Sequence, residues 1–97
     1  MFDEVGCIWC DRWTDEVGVV YAKTEEGQRA PLRRVNLHKA WPEDLQGIAP
    51  VRFTPTFVLF VQGAEVGRIE GYPGEEFFWG LLSAMLQNLD EETAEGS

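Results

Sequence analysis

The spacing of hydrophobic and polar residues along the first half of the chain predicts a helix followed by a strand. From Cys10 to Tyr21 the apolar residues recur every three or four positions, with charged residues on the opposite side. This predicts an amphipathic helix that starts near the cysteines and fades between Lys23 and Gly27. Within Leu32 to Leu37, Val35 and Leu37 fall on one face and Arg34 and Asn36 on the other, which predicts a short, half-exposed strand.

The second half predicts a loop, a hairpin and a final helix. The stretch from His38 to Pro50 is a loop in which Pro42 and the acids after it favour one helical turn. Thr56 to Val61 is the most apolar run and predicts a strand covered on both faces. Glu65 to Gly71, after a Gln-Gly turn, predicts the outer strand of a hairpin. From Glu75 to Leu89 apolar residues again repeat at helical spacing.

This order of elements lacks a strand before the first helix, and the right-handed crossover to the second strand requires one. Only Met1 to Val5 is available, so the start of the chain looks truncated and the first strand is expected to span two or three residues. We therefore expect an α/β fold with a mixed four-stranded sheet and flanking helices. A central strand this short predicts a marginal monomer, or one that borrows strand pairing from a neighbour.

Composition and charge limit the domain count and the partners. The chain has 97 residues and 44% hydrophobic residues, which suits one packed domain, assigned to residues 1–89. Eight Lys and Arg against seventeen Asp and Glu give a net charge of −9, which argues against nucleic acids and anionic membranes as partners. No run is apolar enough to insert into a membrane, so a soluble protein is expected. Residues 90–97 are predicted to form an acidic, flexible tail.

The chemistry of the sequence is concentrated in its two cysteines, Cys7 and Cys10, spaced C-x-x-C at the predicted helix start. Unpaired N–H groups and the positive end of the helix dipole stabilise a thiolate on Cys7, while Cys10, one turn inside, is placed to resolve a mixed disulfide. A disulfide between them closes a very short loop, so it adds little stability. The motif therefore predicts a redox-active pair.

Other kinds of site are weaker interpretations. The cysteines would be inert if they were simply buried, and a zinc site would need a dimer because the chain adds only the distant His38. His38 is more readily interpreted as a surface residue than as a catalytic base. No Gly-x-Ser-x-Gly motif is present, so serine chemistry is not supported, and a phosphate-binding glycine loop is absent as well. Neither a metal nor a cofactor is expected. Asp11, together with Asp3 and Glu4, should oppose thiolate formation.

A second motif connects the cysteines to a known family. The segment from Phe53 to Thr56 places a proline immediately before the buried strand. Together with the C-x-x-C helix start and the hairpin-plus-helix ending, this resembles the thioredoxin family over nearly the whole chain. Within that family the sequence resembles the small periplasmic SoxS-like thioredoxins of bacterial sulfur-oxidation (Sox) systems, and the similar segments are Gly6–Cys10 with Trp13, Ala30–Val35, Val51–Phe57 and Arg68–Gly74.

The resemblance implies a thiol–disulfide oxidoreductase in which Cys7 attacks, Cys10 resolves and a cis-proline loop faces them. Its expected partners are protein thiols and disulfides, among them sulfur-oxidation proteins, and an upstream thiol electron donor. The expected location is the bacterial periplasm, with the cytoplasm as the alternative. Exposed Trp9 is expected to serve as a docking residue. The residues expected to bind the substrate are Trp9, Thr54, Pro55 and Gly71.

The sequence also departs from the thioredoxin pattern. The family's buried acid, six residues before the first cysteine, is replaced by Met1, and the first helix lacks the family's kinking proline. The motif itself reads Gly-Cys-Ile-Trp-Cys-Asp, so the redox potential is not predictable from it. Two alternatives stay open: a binding module whose cysteines only hold the loop, and, less favoured, a glutaredoxin-like enzyme, whose glutathione-binding glycine segment is missing.

Overall fold

Two long strands and two very short ones form a single mixed sheet in the computed structural model, which describes residues 1–95 and the side chains of residues 1–92. The strand order is β2-β1-β3-β4, with β1 parallel to β2 and antiparallel to β3, and β3 antiparallel to β4. The strands are β1 (Phe2–Asp3), β2 (Val35–Asn36), β3 (Thr56–Val61) and β4 (Ala64–Glu70). The predicted α/β fold class is confirmed.

The helices lie where the hydrophobic spacing predicts them, with one addition. The first predicted helix is continuous but changes its hydrogen-bonding pattern, from α-helix to a wider π-helical turn and back. The last helix begins at Glu75, as predicted. The helical segments are α1 (Ile8–Trp13), the π-helical turn (Thr14–Gly18), α2 (Val19–Tyr21), α3 (Glu25–Arg29), a 3₁₀ turn (Glu43–Leu45) and α4 (Glu75–Glu95).

Helix α3 occupies the segment in which the periodicity predicted only a fading helix. Thr24 starts it, because its hydroxyl oxygen accepts the Gly27 N–H at 3.0 Å and donates to the Tyr21 carbonyl at 2.7 Å. A Cβ on Gly27 would lie 1.7 Å from that same carbonyl oxygen, so only glycine fits. The local capping signal therefore determines this turn of helix, whereas hydrophobic periodicity does not detect it.

The hairpin follows its prediction closely, and β2 does not. Strand β3 has the predicted bounds, β4 is shifted by one residue, and Gln62 and Gly63 form the turn with positive φ angles of 50° and 81°. Only Val35–Asn36 of the predicted strand from Leu32 to Leu37 pairs in the sheet. The reason is that β1 supplies only two residues for it to pair with.

The short first strand, which the sequence predicted, leaves a cavity beside it. Phe2 is paired with Thr56, and this is the whole registered contact between β1 and β3. The rest of β3 on this side borders a cavity of about 320 Å³, together with apolar side chains of α4 and the segment 30–35. The centre of the sheet is therefore incompletely filled.

The two faces of the sheet carry cores of unequal size. On one face, α1 and α4 cover β3 and β4 around Trp13, which is fully buried against Tyr21, Phe57 and Phe78. Both cysteines belong to this cluster. The other face has three buried residues, Phe2, Val35 and Leu45, with partly buried neighbours from the loop that follows β2 and from β3. These neighbours are Trp41, Ile48, Val51, Val58 and Phe60.

The acidic end of the chain continues the last helix, since α4 extends to Glu95. The helix therefore continues past the predicted domain boundary after Leu89. Asp90, in this continued part, accepts a hydrogen bond from Arg29 at 2.9 Å. Residues 96 and 97 lie outside the described residues, and the mobility of the segment 90–97 stays a prediction. No described helix is long and apolar enough to span a bilayer.

Candidate active site

The two cysteines form a disulfide at the start of α1, with 2.06 Å between their sulfurs and 5.2 Å between their Cα atoms. Cys7 is the N-cap of the helix, and its Sγ accepts the backbone N–H of Cys10 at 3.1 Å. That N–H and the positive end of the helix both favour negative charge on the Cys7 sulfur. The local geometry therefore favours Cys7 as the thiolate after reduction.

The disulfide is nearly buried. Cys7 is 8% exposed and Cys10 4%, so the two cysteines differ little in exposure. Trp9, between them, is 52% exposed, and Ile8 is exposed as well. A nearly buried disulfide thus lies beside apolar side chains that project into solvent.

Two loops, one before β3 and one after β4, meet at the open end of the β3–β4 hairpin. The Thr54–Pro55 peptide bond is cis, and Pro55 is fully buried. The Pro55 carbonyl accepts the Gly71 N–H at 2.7 Å, which joins the two loops. The Thr54 hydroxyl donates to the Glu4 carboxylate at 2.8 Å, and the Glu4 carbonyl accepts the Cys7 N–H at 3.3 Å. The structure thereby brings Thr54, Pro55 and Gly71 to the cysteine loop.

A second series of contacts leads from Trp9 to the loop after β4. The Arg12 guanidinium lies 5.4 Å from the centre of the Trp9 ring and 3.9 Å from the Glu16 carboxylate. Glu16 accepts the Tyr72 hydroxyl at 2.6 Å. Burial and this bond to Glu16 raise the pKa of Tyr72. Trp9 is therefore linked, through two side chains of its own helix, to the residue after Gly71.

Glu4 and His38 are the site residues whose contact sequence reasoning missed. His38 Nε2 contacts the carboxylate oxygen of Glu4 that is not bonded to Thr54. The hydrogen bonds from His38 and Thr54 lower the pKa of Glu4. His38 is a surface residue, as predicted, but 34 positions separate it from Glu4, and no motif indicated the pair. Glu4 was expected to act on the thiolate through its charge alone, whereas its carboxylate is bound by two neighbours.

No acid occupies the position six residues before Cys7. Met1 stands there, buried in the same cluster as both cysteines. Asp3, the nearest acid on β1, is oriented toward Arg34 at 3.6 Å. Within the described residues, no group of three or more His, Cys, Asp or Glu side chains could hold a metal ion. The chemistry of the site thus depends on the cysteine pair and the hydrogen bonds around it.

Comparison with solved structures finds a close relative. The structure of the periplasmic thioredoxin SoxS from Paracoccus pantotrophus, in its reduced form, matches with a TM-score of 0.85 and 45% sequence identity. The match covers 90% of this chain and 92% of that one. No family model and no curated protein matched the chain.

The fold, the cysteine pair at a helix start and this likeness define a thiol–disulfide oxidoreductase of the thioredoxin class. The predicted enzyme class is confirmed. More narrowly, the chain belongs to the SoxS-like thioredoxins, as the sequence resemblance implied. The roles of the individual site residues, Cys7 and Cys10 included, stay predictions.

Proposed function

We propose that this protein reduces disulfides of partner proteins in the bacterial periplasm, in support of sulfur oxidation, with Cys7 as the attacking thiol and Cys10 as the resolving thiol. The observation that carries the proposal is the position of Cys7 as the N-cap of α1, where its sulfur accepts the Cys10 N–H. Of the two cysteines, Cys7 also lies nearer the surface. It is therefore both the better thiolate and the more accessible one.

The reaction transfers two electrons in two exchange steps. The Cys7 thiolate of the reduced protein attacks one sulfur of the partner disulfide, and the other partner sulfur leaves as a thiolate that takes a proton from solvent. Cys10 then loses its proton and attacks the Cys7 sulfur of the mixed disulfide, which releases the second partner thiol. The products are a partner dithiol and the Cys7–Cys10 disulfide. An upstream thiol donor must reverse these steps to restore the dithiol.

The partner is proposed to dock on the apolar side chains and loops around the disulfide. Trp9, Ile8 and Phe53 are exposed hydrophobic residues near the ends of the cysteine and proline loops. An extended partner segment could pair with backbone groups near Thr54 and Gly71. Since the Gly71 N–H is already donated to Pro55, Gly71 would contribute its carbonyl. The charge of −9 fits a protein partner better than a nucleic acid.

The periplasmic location and the link to sulfur oxidation are supported by the relative. The matched structure is that of a periplasmic thioredoxin named SoxS. An identity of 45% over 90% of this chain favours a shared cellular role. We therefore propose sulfur-oxidation proteins as the partners, and an upstream thiol protein as the electron donor.

The proposal is tested by reduction of insulin disulfides and by trapping of mixed disulfides. The protein should accelerate insulin reduction by dithiothreitol, and no acceleration would favour a binding module. In an extract of a sulfur-oxidising bacterium, Cys10→Ser should accumulate covalent adducts on non-reducing gels, because the resolving step is blocked. Cys7→Ser is the matched control and should accumulate none. Equal adduct yields from the two variants would remove the assignment of roles.

A further inference from the structure

We propose that Glu4 is a positioning residue for exchange with protein disulfides, because its carboxylate fastens the Thr54 loop and the His38 loop to the segment that carries Cys7. The inference rests on the proposed function and deepens it. It assigns to Glu4, His38 and Thr54 a shared task in the presentation of the cysteines to a large substrate. Small disulfides do not need that task.

One carboxylate group joins three segments that are far apart in the sequence. Glu4 follows β1, and its two carboxylate oxygens are divided between the Thr54 hydroxyl, at 2.8 Å, and His38 Nε2. These partners are 50 and 34 positions away. Its own backbone carbonyl accepts the Cys7 N–H at 3.3 Å. The residue is therefore tied through its backbone to the attacking cysteine and through its side chain to the two loops.

The partners of Glu4 are themselves held by further contacts, so the Glu4 carboxylate fixes the positions of the Thr54 and His38 loops relative to the cysteine loop. Thr54 is followed by Pro55, which is fully buried and whose carbonyl accepts the Gly71 N–H at 2.7 Å. On the other side, the His38 N–H is donated to the Asn36 side chain at 2.9 Å, at the end of β2. Hydrogen bonds to an ionised acceptor are stronger than those between neutral groups. Loss of the carboxylate should therefore release the Thr54 loop from the cysteine loop.

This release should affect large and small substrates differently. A partner protein must contact the Thr54 loop while one of its sulfurs lies in line with the Cys7 sulfur. The Thr54 loop and the cysteine loop must therefore hold a fixed position relative to each other. A small disulfide needs access to the Cys7 sulfur alone. The bonds from His38 and Thr54 lower the pKa of Glu4, so the carboxylate stays ionised at neutral pH. The nearby Asp3–Arg34 pair is a separate contact, with 3.6 Å between its charged atoms.

The test compares Glu4→Ala, Glu4→Gln and Thr54→Val in two assays with reduced protein. The first measures the KM and kcat of insulin reduction, and the second measures the rate with oxidised glutathione. Asp44→Ala is the matched control, since Asp44 accepts two hydrogen bonds from Arg33 on an exposed surface, as Glu4 does from its two neighbours. Thermal melting of each variant verifies that it is folded.

We expect Glu4→Ala to raise the KM for insulin by about five- to tenfold, with kcat and the glutathione rate within about twofold of wild type. Thr54→Val should also raise the KM for insulin, because it removes the hydroxyl that Glu4 accepts. Glu4→Gln should recover part of the loss, because its amide oxygen can still accept the Thr54 hydroxyl. Asp44→Ala should change neither assay. Equal slowing in both assays, or no slowing in either, would overturn the inference while wild-type insulin reduction still supports the proposed function. A wild type inactive on insulin would overturn both.

Discussion

The half of the sheet built from β3 and β4 differs sharply from the half built from β1 and β2. Six pairs of residues join β3 to β4, and two join β1 to β2. The β3–β4 half, the strong half, contributes Phe57 and Ile69 to the aromatic-rich cluster formed with α1 and α4. The β1–β2 half, the weak half, contributes Phe2 and Val35 to the smaller cluster of three buried residues. Strand length is the physical cause, because each added strand residue brings both backbone pairing and a side chain for one face.

The active site takes parts from both halves. The helix that carries the cysteines packs on the strong half through Trp13, which contacts Phe57 of β3 and Phe78 of α4. The Glu4–His38 contact comes from the segments that follow the two short strands. The strong half therefore fixes the position of the helix that carries the disulfide, while the weak half provides contacts that position the loops around it. Three predictions test this difference, beginning with the largest effect.

Removal of the central side chain of the strong half should cost most. Trp13 is fully buried and lies within 5.9 Å, between ring centroids, of Tyr21, Phe57 and Phe78. Trp13→Ala should lower the free energy of unfolding by about 3–5 kcal/mol, because it leaves a large cavity beneath the cysteine helix. Urea denaturation of the oxidised protein measures this loss.

Two variants accompany that measurement. Phe77→Ala is the control, since Phe77 is an aromatic residue of α4 that is 69% exposed, and its replacement should change stability by less than about 0.5 kcal/mol. Trp13→Phe should cost less than Trp13→Ala, since in the described part of the chain the Trp13 indole N–H has no hydrogen-bond partner to lose. A loss as small for Trp13→Ala as for Phe77→Ala would contradict the asymmetry of the two halves.

Added strand residues should strengthen the weak half. The Met1 nitrogen donates to the Arg33 carbonyl at 2.8 Å, which continues the parallel pairing of β1 and β2. A Val-Thr-Val extension before Met1 should therefore run on between the segment at Arg33 and β3. We expect a gain of about 1 kcal/mol, or roughly 4–8 °C in Tm for a domain of this size.

The control for the extension is Gly-Ser-Gly in the same place. Burial lowers the pKa of the Met1 amino group to about 6, and both extensions replace that amine by an amide. The difference between their melting temperatures therefore isolates the side chains and the strand preference. Identical melting temperatures would show that the gap beside β1 does not limit stability.

A smaller effect than that of Trp13→Ala is expected where β4 contacts the loop that follows β2. Arg68 on β4 donates to both Glu65 carboxylate oxygens at 2.8 Å. It also donates to the carbonyls of Ala49 and Pro50, in the loop that follows β2. The bond from Arg68 lowers the pKa of Glu65. Because the folded pKa lies below the unfolded value of about 4.3, this stabilisation is present above that pH and is lost as pH falls through the folded pKa.

Glu65→Gln should therefore cost about 1 kcal/mol at pH 7 and almost nothing near pH 3, as measured by urea denaturation at both values. Asp44→Asn, at the exposed pair with Arg33, should show a weaker pH dependence because solvent screens that pair. An equal loss at the two pH values for Glu65→Gln would mean that shape, and not charge, explains the effect.

Much of this organisation follows from local patterns. The bounds of β3, the start of α4 and the turn at Gln62 and Gly63 agree with hydrophobic run length, helical spacing and turn chemistry. The position of Cys7 at a helix start also follows from spacing alone. Each of these features depends on residues within one turn or one hairpin of each other.

The missed features need contacts or signals that periodicity does not contain. The length of β2 depends on the partner strand: β1 supplies two residues, so only Val35 and Asn36 of the predicted strand are paired in register. The extension of α4 beyond Leu89 places Asp90 against Arg29, a residue 61 positions earlier. The burial of Cys7 is likewise a tertiary feature, because the cluster that contains it includes residues from distant parts of the chain, such as Phe57 and Phe78.

The sequence by itself determined the order of the elements, the redox-active cysteine spacing and the family, since these reside in local periodicity and in motifs of a few adjacent residues. The tertiary structure decided how deeply the disulfide is buried, that β2 has only two residues, and that one carboxylate at Glu4 joins Thr54 and His38 beside Cys7. Contacts across 34 and 50 positions leave no periodic trace, because they are created only when the crossover and the hairpin bring separate loops to the same end of the sheet.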